Sequence, residues 1–145
     1  MRTYWDTSAA INAAVSTAVM DRLDSGEHLA RLHTLAEFFS TLTGRGVRVL
    51  DQAGKPALVV FDPNDCAAWL RRFATRVQFE ELTKDEVLEG LDKAQSRGVQ
   101  GARVYDYWHV LVSDKAKAGE ILTRNTKDFE PLAQATGGHV KVRWP

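Results

Sequence analysis

Short β-prone runs alternate with stretches of helical apolar spacing along the whole chain, and this alternation restricts the fold more than any other feature. The first run, Thr3-Tyr-Trp5, ends on Asp6. Thr7 to Leu23 then carries Ile11, Ala14, Val15, Ala18, Val19 and Leu23 at near-helical spacing. Asp24-Ser-Gly26 closes that helix with turn chemistry, and Leu29 to Leu32 reads as a short strand. Leu35, Phe38, Phe39 and Leu42 form the stripe of the next helix, which Gly44-Arg-Gly46 ends. Val47 to Leu50 and Ala57 to Phe61 flank a turn-like stretch and predict a hairpin excursion over 47–61. Asp62-Pro-Asn-Asp65 is a helix start, with Asp62 as N-cap and Pro63 in the first helical position. Cys66, Trp69, Leu70 and Phe73 supply its buried stripe. Val77 to Leu82 suits a strand. Thr83-Lys-Asp-Glu86 is a capping box that opens a helix with Val87, Leu88, Leu91 and Ala94 inward. After a Gly-punctuated loop, Val104, Trp108, Leu111 and Val112 share one helix face. Glu120 to Thr123 is a strand, Arg124 to Phe129 a polar loop, Pro131 to Ala135 a helical turn, and His139 to Trp144 a terminal strand. This order predicts an α/β fold with a mostly parallel sheet and helices on both faces, in one domain over 1–145.

Charge and cysteine content narrow the function classes. Lys plus Arg number 19 and Asp plus Glu 19, so the chain is not a bulk electrostatic nucleic-acid binder. A local basic rim around an acidic centre remains compatible with that balance. The one cysteine, Cys66, cannot form an intramolecular disulfide, and no Cys/His cluster has zinc spacing. Asp6 interrupts the place where a signal-peptide apolar core would begin. The longest uncharged run, Thr7 to Met20, is too short and too polar to span a bilayer. The expectation is a cytoplasmic protein with no membrane partner.

The candidate site residues are carboxylates. Asp6 stands at the C-terminal end of a strand where a helix begins, the place where open α/β sheets bind ligands; it reads equally as the cap of that helix. Glu37 lies off the apolar stripe of its helix, and a solvent-facing glutamate is the plainer reading. Asp106 lies near a helix start, where the dipole favours a carboxylate in any case. His109, one turn later, reads as a surface or hydrogen-bonded histidine rather than a metal ligand. There is no Gly-rich phosphate loop, no G-x-S-x-G turn and no H-E-x-x-H helix, and Asp6 lacks the second carboxylate of a D-x-D phosphatase.

The stretches Tyr4-Trp-Asp-Thr-Ser8, Leu35-Ala-Glu-Phe-Phe-Ser-Thr-Leu42, Gly101-Ala-Arg-Val-Tyr-Asp106 and Leu122-Thr-Arg-Asn-Thr-Lys-Asp-Phe129, taken in that order, resemble the PIN domain, and in particular the VapC-type toxin ribonucleases of toxin–antitoxin pairs. The resemblance implies a three-layer α/β/α fold around a parallel sheet of about five strands. It implies an acidic site of Asp6, Glu37 and Asp106, with Asp6 and Asp106 as metal ligands. Thr7, Ser8 and Thr123 would orient carboxylates or waters. Asn125 stands where many relatives carry Asp. Asp128 is therefore favoured as the fourth acidic residue, with Asn125 in an accessory role. The stretch 47–61 finds no clear counterpart in this resemblance, which leaves its role open.

The implied activity is metal-dependent cleavage of RNA. Clustered carboxylates raise one another's pKa unless a cation neutralises them, and hard oxygen ligands suit Mg²⁺ or Mn²⁺. Single-stranded or looped RNA is the expected substrate, with Arg124 and Lys127 placed to hold phosphates. Tyr105 or Tyr107 could stack a base, with core packing as the alternative. The partners implied are RNA and a cognate antitoxin, with a homodimer allowed. Two other readings are a PIN fold that binds RNA or protein without cutting, suggested by Asn125, and a structure-specific DNA nuclease. The short chain, with no helical arch, argues against the last.

Overall fold

A computed structural model describes residues 1–145. In chain order the elements are β1 (Arg2–Trp5), α1 (Thr7–Val15), α2 (Thr17–Met20), a 3-10 turn (Asp21–Asp24), β2 (Glu27–Ala30), α3 (Leu32–Thr43), β3 (Val47–Leu50), β4 (Pro56–Val59), α4 (Pro63–Ala74), β5 (Gln78–Phe79), α5 (Lys84–Asp92), α6 (Arg103–Lys115), β6 (Glu120–Leu122), α7 (Thr126–Ala135) and β7 (Lys141–Arg143). Five strands form one sheet in the order β5-β2-β1-β6-β7, and every pairing in it is parallel. β3 and β4 form a separate antiparallel hairpin, Val47 opposite Val59 and Leu50 opposite Pro56.

The sheet is covered on both faces because its strands are apolar on both sides, as parallel strands must be. Trp5, Ala30 and Leu122 project into one core, with Ala10, Phe38, Cys66, Trp69 and Phe73 from α1, α3 and α4. Tyr4, Leu29 and Ile121, one residue back along the same strands, project into the other, with Tyr107, Val110, Phe129 and Leu132 from α6 and α7. The result is the three-layer α/β/α arrangement. In the first core, Trp69 stacks on Phe38 at 4.7 Å between centroids with the planes 4° apart, and on Phe73 at 5.3 Å. Cys66 is fully buried beside them, and burial pushes its thiol pKa up.

Several local expectations fail for identifiable reasons. The helix over 7–23 breaks at Ser16, whose backbone is extended and whose hydroxyl caps α2. A 3-10 turn then completes the segment. The second strand is Glu27–Ala30 rather than Leu29 to Leu32, because Arg31 is the N-cap of α3 and Leu32 its first residue. On α5, Leu88 and Leu91 are 53% and 44% exposed. Gly90 packs inward instead, where a Cβ would meet the Leu111 side chain. Of the face expected on α6, Val112 is fully buried while Val104, Trp108 and Leu111 are half-buried against the core, and the buried residues of the helix are Tyr107, His109, Val110, Val112 and Ser113. Tyr107 is a core residue whose hydroxyl donates to the Gly90 carbonyl at 2.7 Å, so it cannot stack a base. The strand over 77–82 shrinks to two residues and the terminal strand to three. The loop expected at 124–129 is helical from Thr126 onward. Asp62 does cap α4, and Thr83 and Glu86 do form a capping box. No helix is long and apolar enough to cross a membrane.

Candidate active site

β1 and β6 are neighbours in the sheet, and the chain leaves β1 toward β2 on the other side. The crevice beyond the C-terminal ends of β1 and β6 is thus a topological switch point, the place where parallel sheets open a binding site. Asp6 follows β1 and Thr123 follows β6. Asp6 performs the capping role and more. Its Oδ1 accepts from the Ala9 amide at 2.8 Å and the Ser8 hydroxyl at 2.7 Å, and its Oδ2 accepts from the Thr123 hydroxyl at 2.7 Å. Thr123 Oγ1 in turn accepts from the Asn125 amide at 3.0 Å, and Ser8 Oγ accepts from the Arg124 amide at 2.9 Å. The two strand ends are therefore sewn together around one carboxylate.

A cleft of about 360 Å³ opens beside it, lined among others by Asp6, Glu37, Asp106, His109, Arg124 and Asn125. Thr7, Ser8, Thr41 and Arg45 also line it. Three acidic residues far apart in sequence share this cleft. Asp106 faces it from the first turn of α6, and Glu37 from the middle of α3. Burial raises the pKa of Asp6, against the lowering effects of His109 and of the three hydrogen bonds. Burial also raises Asp106; His109 opposes this, and the charges of Asp6, Asp128 and Glu37 add to it. Burial acts to raise Glu37 too, but His109 and His33 together hold it below the ordinary carboxylate range. Glu37 Oε1 stands 3.6 Å from both His109 Nε2 and His33 Nε2, without a hydrogen bond. Thr7 Oγ1 is likewise buried without a partner.

Asn125 lines the cleft and ties two carboxylates together. Its Nδ2 lies 2.9 Å from Asp128 Oδ2 and 3.5 Å from Asp106 Oδ2. Asp128 itself is exposed in the first turn of α7, behind Asn125. Lys127 is exposed on the same turn and, unlike Arg124, is not among the residues that line the cleft.

His109, expected to be a surface or hydrogen-bonded histidine, is hydrogen-bonded and lines the cleft, and Arg45, which was not a candidate, lines it too. His109 is buried, with Nδ1 2.7 Å from the Tyr4 hydroxyl. It lies three residues after Asp106, hence on the same helix face, and that spacing was the available signal. Arg45 comes from the turn between α3 and β3, and nothing in its local sequence marks it. Neither a protein-family model nor a curated protein matches this chain.

No three His, Cys, Asp or Glu side chains stand close enough together to cage a metal ion. The donor chemistry nonetheless suits Mg²⁺ or Mn²⁺. Mg²⁺ commonly takes one or two carboxylates and completes its shell with water and substrate phosphate, so a cage is not required. Asp6 and Asp106 are the two carboxylates whose pKa values burial holds up in this cleft, and a cation beside them would relieve both.

Proposed function

We propose that the chain is a metal-dependent endoribonuclease that hydrolyses phosphodiester bonds in single-stranded or looped RNA. The observation that carries this reading is the convergence of Asp6, Glu37 and Asp106, from three separate elements, on one cleft at the switch point of a parallel sheet. Asp6 and Asp106 would hold the metal, which when bound supplies water activation and charge stabilisation for the hydrolysis. Thr123, Ser8 and the Ala9 amide fix the orientation of Asp6. Glu37, kept ionised by His109 and His33, would orient the attacking water from the α3 side of the cleft. Asn125 spaces Asp106 from Asp128. Arg124 and Arg45 offer cationic contacts for the phosphates beside the acids.

Purified protein should cut RNA with Mg²⁺ or Mn²⁺ and stop with chelator. Asp6→Asn and Asp106→Asn should each slow cleavage more than about tenfold, or ~1.4 kcal/mol of barrier. Full activity in both variants would remove the assignment. By its likeness to VapC-type toxins, the enzyme should slow growth when expressed alone, and a cognate antitoxin should relieve this. A second reading, an RNA-binding module without cleavage, is favoured by Asn125 in the cleft. RNA binding without metal-dependent products would select it.

A further inference from the structure

Trp144 carries an inference beyond the acidic cleft. Of the four tryptophans, Trp5 and Trp69 are buried in the first core, and Trp108 is half-buried beneath the Arg31 guanidinium, 4.8 Å from its ring centroid. Trp144 is 56% exposed. Its position is not arbitrary. β7 lies beside β6 with Arg143 in register with Leu122, so Trp144 stands level with Thr123, the residue whose hydroxyl donates to Asp6. The Thr123 amide donates to the Arg143 carbonyl at 3.0 Å and ties this end of β7 to the site. The Arg124 guanidinium lies 5.3 Å from the Trp144 ring centroid. Arg124 itself lines the cleft, and its amide is bonded to the Ser8 hydroxyl that donates to Asp6. An exposed indole, a guanidinium on its ring and an acidic centre thus follow one another outward from the switch point.

We propose that Trp144 and Arg124 form a stacking platform for one unpaired base of the RNA, next to the phosphate held at the acidic cleft. The inference rests on the ribonuclease reading and names its substrate more closely: a strand with an unstacked base on one side of the cut. Aromatic faces paired with cationic groups are the means by which proteins hold single strands without reading their sequence. They matter more here than in a basic protein. With 19 positive and 19 negative side chains, bulk charge offers the RNA no net attraction, so contact must come from local features. Duplex RNA keeps its bases stacked and offers the platform nothing.

The test is binding in chelator, which separates contact from cleavage. The probes are a fluorescein-labelled single-stranded RNA pool of random sequence and a labelled RNA duplex, read by anisotropy with wild type, Trp144→Ala and Trp144→Phe. Trp144→Ala should weaken the single-stranded pool about tenfold, within the range of one lost base–aromatic stack. Trp144→Phe should stay within about twofold of wild type, because it keeps an aromatic face. Duplex binding should not change, and melting curves of the two variants should match wild type. Equal loss of single-stranded and duplex binding would overturn the platform, since the ring would then only position Arg124. Unchanged RNA binding, with a dimer of wild type that Trp144→Ala dissociates, would overturn it in favour of a second copy covering the ring. Unchanged binding without any dimer would overturn it outright. In both of these cases the ribonuclease reading stands if wild type still cuts. Failure of wild type to bind the pool at all would overturn the platform, and failure to cut RNA with Mg²⁺ or Mn²⁺ as well would overturn the ribonuclease reading beneath it.

Discussion

At the scale of single residues, Asp6 holds a conflict that can be measured. It accepts three hydrogen bonds, yet its pKa is raised, so the cost of burying its charge exceeds what those bonds and His109 return. A carboxyl raised in the folded state favours folding while protonated, below its unfolded pKa. That benefit is lost as pH rises through the folded value. Asp6→Asn should therefore raise the apo melting temperature at neutral pH, on the order of 1 kcal/mol, and the gap to wild type should narrow as pH falls. Melting at pH 7.5 and in the acidic range checks this; destabilisation at neutral pH would mean that capping outweighs charge burial. Asp128 and Asn125 act on the site differently. The Asp128 charge is one of those raising Asp106, so Asp128→Asn should lower the Asp106 pKa, read by carboxyl NMR titration. Asn125→Ala removes the amide between them and should impair cleavage through position. A pool of RNA cut by both variants at the wild-type rate would exclude either residue from the fourth position. Asp6 was legible because its strand, its cap and its carboxylate are contiguous in sequence. The place of His109 in the cleft was not, because its burial depends on Tyr4 and Glu37, which only the folded sheet brings to it.

At the scale of elements, the hairpin is a separate two-stranded sheet whose entry turn depends on one glycine. Gly46 has φ +70°, and a Cβ there would clash with the Val59 carbonyl oxygen. Gly46→Ala should cost more than ~1 kcal/mol, from backbone strain and the clash together. Urea unfolding would measure it, and a neutral result would show that the turn can shift. The aromatic stack of α3 and α4 is the opposite case. Trp69→Ala removes a ring sandwiched between Phe38 and Phe73 and should cost about 3–5 kcal/mol, by loss of burial and creation of a cavity. The caps of α4 and α5 were readable because an Asp or Thr bonded to an amide three residues on is a local arrangement. The faces of α5 and α6 were readable only in part: Val112 is buried and Ala94 and Leu111 pack on the core, but Leu88 and Leu91 are exposed. A helix shows its apolar residues in sequence, but the neighbour against which it packs decides which of them are covered. Gly90, which has no apolar side chain to show in sequence, is the residue of α5 against which Leu111 packs.

At the scale of the whole molecule, the α/β alternation predicted the layers but not the strand order. The order follows from which strands pair, and strands of two to four residues carry too little pattern to say. The switch point between β1 and β6 therefore emerges only in the fold, although both flanking residues, Asp6 and Thr123, were candidates already. A ligand bound there should stabilise the entire molecule by mass action. Mg²⁺ or Mn²⁺ should raise the wild-type melting temperature, and raise it less in Asp6→Asn and Asp106→Asn; equal shifts in all three would place the cation elsewhere. The single buried thiol supplies a clock for the same molecule. Cys66 is the only cysteine and lies closed in the core between the sheet and α4. An alkylating reagent can reach it only when that layer opens, so the rate of labelling counts openings in native buffer, without denaturant. Gly46→Ala should speed labelling if the hairpin opens with this core, and metal should slow it if closing the cleft and holding the layers together are one event.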